Sequence, residues 1–589
     1  MCGINGILRF SDGAPAIDRG ELLRTRDAMA ARGPDGAGAW TSSDGRVALA
    51  SRRLAILDLS EAGAQPMASG DGRFHIVING EIYNFGELRR ALEAEGVRFR
   101  SHSDTEVVLA LYAREGAAML GRLRGMYGLA IWDDRDKSLL LARDPLGIKP
   151  LYFAVEGGCL RFASQVKALE AGGAVSREVD PAGVAGFLLW GSVPEPLTIR
   201  RAVRALPAGH FLTIRNGVPG KPCPYDFVTI PEMTPEQAVE DSVTAHLVSD
   251  VPVAVFLSAG LDSGLIAALA RRHLPEPPAT FTLRFDVLEG TWRDEGPAAA
   301  EVARVLGTRH IERRVGRADF AALWPQALEA MDQPSIDGFN TFLVSRAAHE
   351  AGLKVVLSGL GGDEVFGSYP SFTDVPRLAR TARRTARIPG LAAAWPALAH
   401  LAAPGRPKLA GLLRYGRTLP GAYFLRRGLF LPEELPAVMG RDAAAAGLAG
   451  YDPVADGASA LAAANGHAPD AWTAVHELET TRYMRNQLLR DADWASMASS
   501  VELRVPFVDA WLRRRLAAHA FEPARGLGKA ELVRRAAPEL PAALFARPKA
   551  GFYIPVMEWL QPEGAGASLG DQSRRLALRV LEELGVSAP

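Results

Sequence analysis

The sequence predicts an α/β protein of two domains, and three observations carry that prediction. At 589 residues the chain is longer than one hydrophobic core organises. Up to about residue 215, short apolar segments alternate with glycines, as in RFHIVINGEIYN, GMYGLAIWDD, SLLLARDPLG and CLRFASQ, a pattern dominated by strands. Beyond about residue 236, apolar runs are followed by amphipathic stretches: VPVAVFLS by GLIAALARRH, and ATFTLRF by EGPAAAEVARVLG. Strand–helix repetition of that kind builds a parallel sheet. Between the halves, residues 216–235 (NGVPGKPCPYDFVTIPEMTP) are rich in proline and glycine without a period and read as a linker. The expected domains are therefore 1–215 and 236–589. Residues from about 375 to 470, heavy in Ala, Arg and Pro, read as helices of the second domain with no role assigned. QSRRLALRVLEELG near the end reads as a short amphipathic helix.

Composition narrows the partners. Lys plus Arg and Asp plus Glu both number 67, so no long-range field gathers nucleic acid or an anionic membrane, and small-molecule substrates are expected. Three cysteines, Cys2, Cys159 and Cys223, make neither a disulfide framework nor a zinc pattern, which points to a reducing cytoplasm. The first twenty residues do not read as a secretory signal. The longest Ala/Leu-rich stretch, GLAAAWPALAHLAAPG, falls short of the ~20 residues that span a bilayer and contains Pro396 and His400, so no membrane segment is expected.

The opening MCGINGIL places Cys2 where removal of Met1 would leave a free α-amine beside the thiol. With a thiol near pKa ~8.5 and an amine at about 7.7–8.0, the nucleophile would carry its own base. If Met1 stays, that amine is blocked. A buried structural thiol is the plainer alternative. At NGEIYN, the run IVI reads as a strand that delivers Asn79 and Gly80, and a side-chain amide with a backbone N–H can stabilise an oxyanion. An Asn-Gly hairpin turn is the alternative there.

The second half holds two loops of one design. In VFLSAGLDSGLIAAL, the small residues Ser258, Ala259 and Gly260 would let backbone N–H groups approach phosphate ahead of a helix N-terminus. KVVLSGLGGDEVFGSY repeats the strand and small-residue loop, adding Asp363 and Glu364. Asp262 and Asp363 on separate loops could hold Mg²⁺ with a triphosphate, or be solvated turn acids.

Taken together, MCGI, RGPDG at 32–36, RRLAILD at 52–58, NGEIYN at 79–84 and SDTEV at 103–107 resemble the glutaminase domain of the N-terminal-nucleophile amidotransferases. That resemblance implies an Ntn-hydrolase αββα sandwich. It also implies that Cys2 attacks the glutamine side-chain amide and that Asn79 with the Gly80 N–H forms the oxyanion hole. Arg53 would bind the substrate carboxylate, and Glu81 and Asp104 its α-ammonium, with Asn79 also lining the glutamine site. RDPLGIKPLYF, 143–153, belongs to the same pattern and reads as a structural turn and strand. From about 236 to 560, SAGLDS, SGLGGDEVFGSY, VELRVPFVD at 501–509, GLGK at 526–529 and PKAGF at 548–552 resemble the synthetase domain of glutamine-hydrolysing asparagine synthetases, a pyrophosphate-loop (PP-loop) fold that splits ATP to AMP and pyrophosphate. By position, Leu257, Leu283, Ser358 and Gly359 would border adenine and ribose. Ser258, Gly260, Asp262 and Ser263 would cradle the pyrophosphate, Asp262 and Asp363 would bind Mg²⁺, and Lys529 would act on the reacting phosphate and acyl centre. Glu502 and Arg504 would brace the loop. A sheltered ammonia passage between the sites is implied.

The match has departures. Ala259 replaces the usual second glycine of the pyrophosphate loop, and Gly264 replaces the Ser or Thr after it. Leu360 stands where the family has a glutamate tied to aspartyl-adenylate, a role an apolar side chain cannot take. QPSIDGFNTF, 333–342, lacks the family's Thr/Arg pattern beside the acceptor. The acceptor is thus open: aspartate, or another carboxylate such as a uronic acid of a surface polysaccharide or a natural-product intermediate, with lactam closure a further variant. A non-enzymatic glutamine or ATP sensor is the reading from another class. The implied cofactors are ATP and Mg²⁺, and the implied partners glutamine, ATP and a carboxylic acid such as aspartate. A homodimer is left open.

Overall fold

The computed structural model describes residues 2–11, 13–215, 217–403, 406–464, 470–517, 528–547, 556, 559 and 569–586. The expected PKAGF stretch and the first two residues of GLGK lie outside the described residues.

In the N-terminal half, two antiparallel sheets stack. One has the order Val203–Ala205, Tyr152–Glu156, Cys159–Ala163, Cys2–Arg9, Val47–Arg53, Gly36–Thr41. The other runs Val218–Pro219, His210–Arg215, Ser138–Arg143, Gly125–Asp133, Phe74–Ile82, Met67–Ala68, with Cys223–Pro224 also pairing His210–Arg215. Strand alternation sorts the side chains. From the first strand, Cys2, Ile4 and Leu8 enter the inter-sheet core with Val77, Ala130, Trp132 and Leu141. Ile7 packs outward with Leu22 of helix Arg19–Asp27. On Phe74–Ile82, Ile76, Ile78 and Ile82 face outward onto Leu88, Leu92, Val107 and Leu111 of helices Phe85–Ala94 and Asp104–Glu115. Helix, sheet, sheet, helix is the αββα sandwich.

The C-terminal half is built on a five-stranded parallel sheet ordered Arg309–Val315, Ala279–Phe285, Val253–Phe256, Val355–Leu357, Glu502–Arg504. The first strand in sequence, Val253–Phe256, lies centrally. The next two add on one side and the last two on the other, so the order reverses between Val253–Phe256 and Val355–Leu357. In open α/β sheets ligands bind at that switch point, beyond the carboxyl ends of the strands. The loops 257–260 and 358–361 both leave the sheet there.

Residues 371–464 are mainly helical, including Ser371–Thr385, Leu391–Ala402, Leu419–Arg427, Arg441–Gly450 and Pro453–Ala464. Among the described residues no helix is long and apolar enough to cross a membrane. The two halves meet through an apolar cluster that joins Leu54, Ile56, Met126, Leu146 and Ile148 to Val365, Phe366, Met484, Val505 and Phe507. A buried ion cluster lies beside it: Arg32 donates to both oxygens of Asp493 at 2.7 and 3.0 Å, and Lys149 Nζ donates to the same carboxylate at 3.3 Å.

Candidate active sites

Cys2 opens the first strand and is buried at 4% exposure. Its backbone N–H donates to Asn79 Oδ1 at 3.1 Å, and Gln65 Nε2 lies 3.9 Å from its Sγ. Burial pushes the thiol pKa up. Asn79 reaches the cysteine because it faces inward on Phe74–Ile82, opposite Gly128 on the neighbouring strand. Its Oδ1 is committed to Cys2, while its Nδ2 is buried with no hydrogen-bond partner among the described residues. A buried amide N–H₂ without an acceptor costs on the order of 1–3 kcal/mol. An incoming oxygen would recover that loss.

Gly80 follows, and its backbone runs so close to the next strand that a Cβ would sit 2.0 Å from Met126 O, which fixes glycine there. Arg53 pairs across from Cys2 on the adjacent strand. Its guanidinium donates to the carbonyls of Ser60 (2.8 Å), Leu57 (3.3 Å) and Asp58, so it is held by neutral acceptors and keeps its charge for another partner. Gly63 lies against it: a Cβ there would come within 2.2 Å of Arg53 Nη2.

Glu81 and Asp104 are both buried. Burial drives the Glu81 carboxyl well above its ordinary range, helped by the nearby Glu502 and Asp104 charges. Burial likewise raises Asp104, against the pull of the Ile82 N–H that donates to its Oδ2 at 2.9 Å. Asp104 is the first residue of helix Asp104–Glu115, whose N-cap is Ser103. The structure therefore gathers Cys2 and Arg53 from adjoining strands of one sheet and Asn79 from the other sheet, with Glu81 and Asp104 joined through Ile82.

Gln65 and Arg32 carry weight that the sequence did not reveal. Gln65 Oε1 accepts from the Ile78 N–H at 2.7 Å, which ties the loop after Arg53 to the strand bearing Asn79. Arg32 Nε donates to Cys2 O at 3.3 Å while its other nitrogens hold Asp493, so RGPDG connects the thiol to the second half. Asp144 of RDPLG accepts N–H bonds from Leu146, Ile148 and Lys149. Lys149 reaches Asp493, so that motif is a turn and also part of the joint between the halves.

At the switch point of the parallel sheet lies a cavity of about 510 Å³. It is lined by Leu257, Ser258, Gly260, Asp262 and Ser263 from one loop and by Ser358, Gly359, Leu360 and Asp363 from the other, with Leu283 and Lys529. The first loop winds around two hydroxyls. Ser258 and Ser263 Oγ are 2.9 Å apart, the Ser258 N–H donates to Ser263 Oγ at 3.1 Å, and the Gly260 N–H donates to Ser258 Oγ at 3.2 Å. Helix Leu261–His273 starts there without a side-chain cap, so its N-terminal donors and positive dipole end face the cavity loop. The loops interlock tightly: a Cβ on Gly362 would fall 2.5 Å from Asp262 Oδ1.

Lys529 Nζ bridges Asp262 Oδ2 at 2.5 Å and Asp363 Oδ1 at 2.9 Å. Burial opposes its charge, but the two carboxylates outweigh that and raise its pKa. The two acids thus converge on a cation, as a Mg²⁺ pair would, and in this structure the cation is the ammonium. Glu502 and Arg504 are fully buried, paired at 2.5 Å, and Arg504 Nη1 also donates to His246 O and Val248 O at 2.7 Å. That arrangement fits bracing. Glu295 also lines the cavity; burial pushes its carboxyl up to about 7, and its Oε2 has no partner among the described residues. No motif marked it: it stands at the start of EGPAAAEVARVLG, a stretch that the sequence marks only as an amphipathic helix.

Comparison with known proteins follows this division. Residues 1–221 match the family described as glutamine amidotransferase domain, and residues 235–582 match asparagine synthase. Asparagine synthetase [glutamine-hydrolyzing] 1 of Bacillus subtilis (strain 168) is 32% identical over 583 residues, covering 96% of this chain and 88% of its own length. Asparagine synthetase B [glutamine-hydrolyzing] of Escherichia coli (strain K12) is 32% identical, over 66% of this chain and 68% of its own. Amidase chry2 of Gibberella zeae is also 32% identical, over 63% of this chain and 60% of its own. The αββα sandwich joined to a parallel-sheet nucleotide fold defines a glutamine-hydrolysing carbon–nitrogen ligase. The chain belongs to the asparagine synthase family, whose nucleotide is ATP.

Proposed function

We propose that the chain moves the side-chain nitrogen of glutamine onto a carboxylic acid activated by ATP, with the chemistry divided between residues 1–215 and 236–589. The observation that carries the first step is the buried, unpartnered Nδ2 of Asn79 beside the Cys2 thiol. Cys2 Sγ attacks the glutamine amide carbon, and the resulting oxyanion accepts from Asn79 Nδ2 and the Gly80 N–H. Ammonia leaves, and water hydrolyses the thioester to glutamate. Arg53 meets the glutamine α-carboxylate. Glu81 and Asp104, two carboxyls that burial pushes above their ordinary range, meet its α-ammonium.

At the second site, the carboxylate oxygen of the acceptor attacks the α-phosphorus of ATP and pyrophosphate departs. Ammonia then displaces AMP from the acyl-adenylate to give the amide. Leu257, Leu283, Ser358 and Gly359 border the nucleoside. Ser258, Gly260 and Ser263 present the donor-lined loop to the pyrophosphate. Lys529 supplies a positive charge to the reacting phosphate. Asp262 and Asp363 suit a Mg²⁺ ion, which when bound would offset phosphate charge; their shared bonds to the Lys529 ammonium support that reading.

The test uses pyrophosphate release with a set of carboxylic acids. Cys2→Ala is expected to abolish glutamine-supported turnover, by at least a thousandfold, and to retain ammonia-supported turnover. Glutamine consumption at the parent rate in that variant would overturn the reading.

A further inference from the structure

A second cavity, of about 440 Å³, lies among Ile336, Asp337, Trp190, Lys408, Tyr423 and Tyr483. It shares a wall with the nucleotide cavity, because the short run 336–341 lines both: Ile336 and Asp337 face one, Asn340 and Thr341 the other. Tyr369, the last residue of SGLGGDEVFGSY, packs edge-on against Tyr483 at 6.0 Å, and the Arg427 guanidinium lies 3.9 Å from the Tyr483 ring centre and 4.5 Å from that of Tyr369. This stack ties the second-loop run, through Tyr369 and its bond to Glu364, to the cavity lining at Tyr483 and Arg427. The opposite wall comes from residues 408–427, in the helical stretch to which the sequence assigned no role.

The charges around the cavity are not balanced. Arg427 is satisfied by Glu479 at 2.9 Å, Arg426 by Asp374 at 3.0 Å and Arg482 by Asp456 at 3.1 Å. Lys408 differs: among the described residues its ammonium has no hydrogen-bond or ion-pair partner. The nearby Glu434 carboxylate is already held by Arg574 at 2.8 and 3.0 Å. Burial, with Arg574 and Arg426 close by, pushes the Lys408 ammonium down to about 8. On the 336–337 wall, Asp337 accepts a bond from the Gly338 N–H at 2.8 Å and has no cation against it among the described residues. Trp190, Tyr423 and Tyr483 supply aromatic surface alongside these two charges. A cavity of this size is in the ~300–1,000 Å³ range of sites for drug-sized ligands, and two unmatched groups of opposite sign are the sparse polar anchors such sites use.

We propose that this cavity seats the body of the acceptor, a carboxylic acid bulkier than aspartate that carries a second anionic group for Lys408 and an ammonium or hydroxyl donor for Asp337. The reacting carboxylate reaches the nucleotide cavity past Asn340 and Thr341. There Leu360, which lines the nucleotide cavity, offers it an apolar neighbour. The proposal rests on the amidotransferase reading above and adds the class of acid.

The test measures pyrophosphate release from ATP, Mg²⁺ and ammonium chloride with four probes: aspartate, glutamate, glucuronic acid and glucuronic acid 1-phosphate. The expected result is preference for the acid with the second anionic group across a ring. Lys408→Met (K408M) should then raise the KM for that acid about tenfold or more, as loss of a charge-assisted contact does. K408R should restore most of it, and D337N should raise the same KM. The KM for ATP should move less than twofold, and the thermal midpoint of each variant reports folding. Preference for aspartate, with its KM unchanged within twofold in K408M and D337N, overturns the acceptor site and leaves the amidotransferase reading standing. Pyrophosphate release with none of the acids overturns both.

Discussion

At the scale of single residues, the site around Cys2 is built from groups whose hydrogen bonds are half used. Asn79 spends its oxygen on the Cys2 N–H and leaves its nitrogen free, which fixes the orientation of the amide and aims a donor at the thiol's surroundings. Substitution to alanine removes both functions. Asn79→Ala is expected to lower kcat for glutamine hydrolysis by about 10²–10³, the range for losing one oxyanion donor, with a smaller effect on KM. Steady-state glutamate production measures it, and a loss under threefold would remove Asn79 from the oxyanion hole. Cys2, Asn79 and Asp104 stand out in the sequence because each lies in a short run whose neighbours are also distinctive. Gln65 was not. Its bond to the Ile78 N–H and its approach to the thiol come from a loop that the sequence marks only by a proline.

At the scale of elements, the second site depends on two loops meeting at one end of a parallel sheet. The repeated pattern of apolar run and small-residue loop announced both loops, but not that their strands would be neighbours. That adjacency follows from strand order, which periodicity along the chain does not encode. Gly362 is where the meeting is tightest. Gly362→Ala would put a methyl 2.5 Å from Asp262 Oδ1, so either the helix starting at Gly362 or the Asp262 carboxylate must shift, and the bridge to Lys529 would open. The expected outcome is a KM for ATP raised at least tenfold, read by pyrophosphate release with ammonia as the nitrogen source. An unchanged KM would show that Asp262 is not held for the nucleotide. The helical stretch from 371 onward was legible as helix but not as a wall. Lys408, Tyr423 and Tyr483 reach one cavity only after the helices pack, and nothing in their spacing foretells it.

At the scale of the whole molecule, the halves are fastened by charges that are far apart in sequence and fully enclosed. Asp493 takes two bonds from Arg32, 461 residues away, and one from Lys149, and these bonds reach back through Arg32 to the Cys2 carbonyl. Burial alone would raise the Asp493 pKa, but Arg32 first and Lys149 next outweigh it and hold the carboxyl below its ordinary value. Because the folded value is the lower one, the stabilisation is present above the unfolded pKa near 4 and is lost as pH falls through the folded value. Asp493→Asn keeps the shape and removes the charge, leaving two buried cations with a neutral partner. Breaking a buried pair in this way costs about 3–5 kcal/mol. The variant's thermal midpoint should therefore lie well below the parent's at pH 7, and the gap should close as the pH is lowered and the parent's own Asp493 becomes protonated. Since the same cluster touches the cysteine strand and the helix Arg490–Met497, the loosened joint should also let ammonia escape: glutamate formed per pyrophosphate released should rise above one. Equal midpoints at pH 7 would overturn the structural role of this cluster, and a ratio that stays at one despite a lowered midpoint would separate that role from any part in coupling the two reactions.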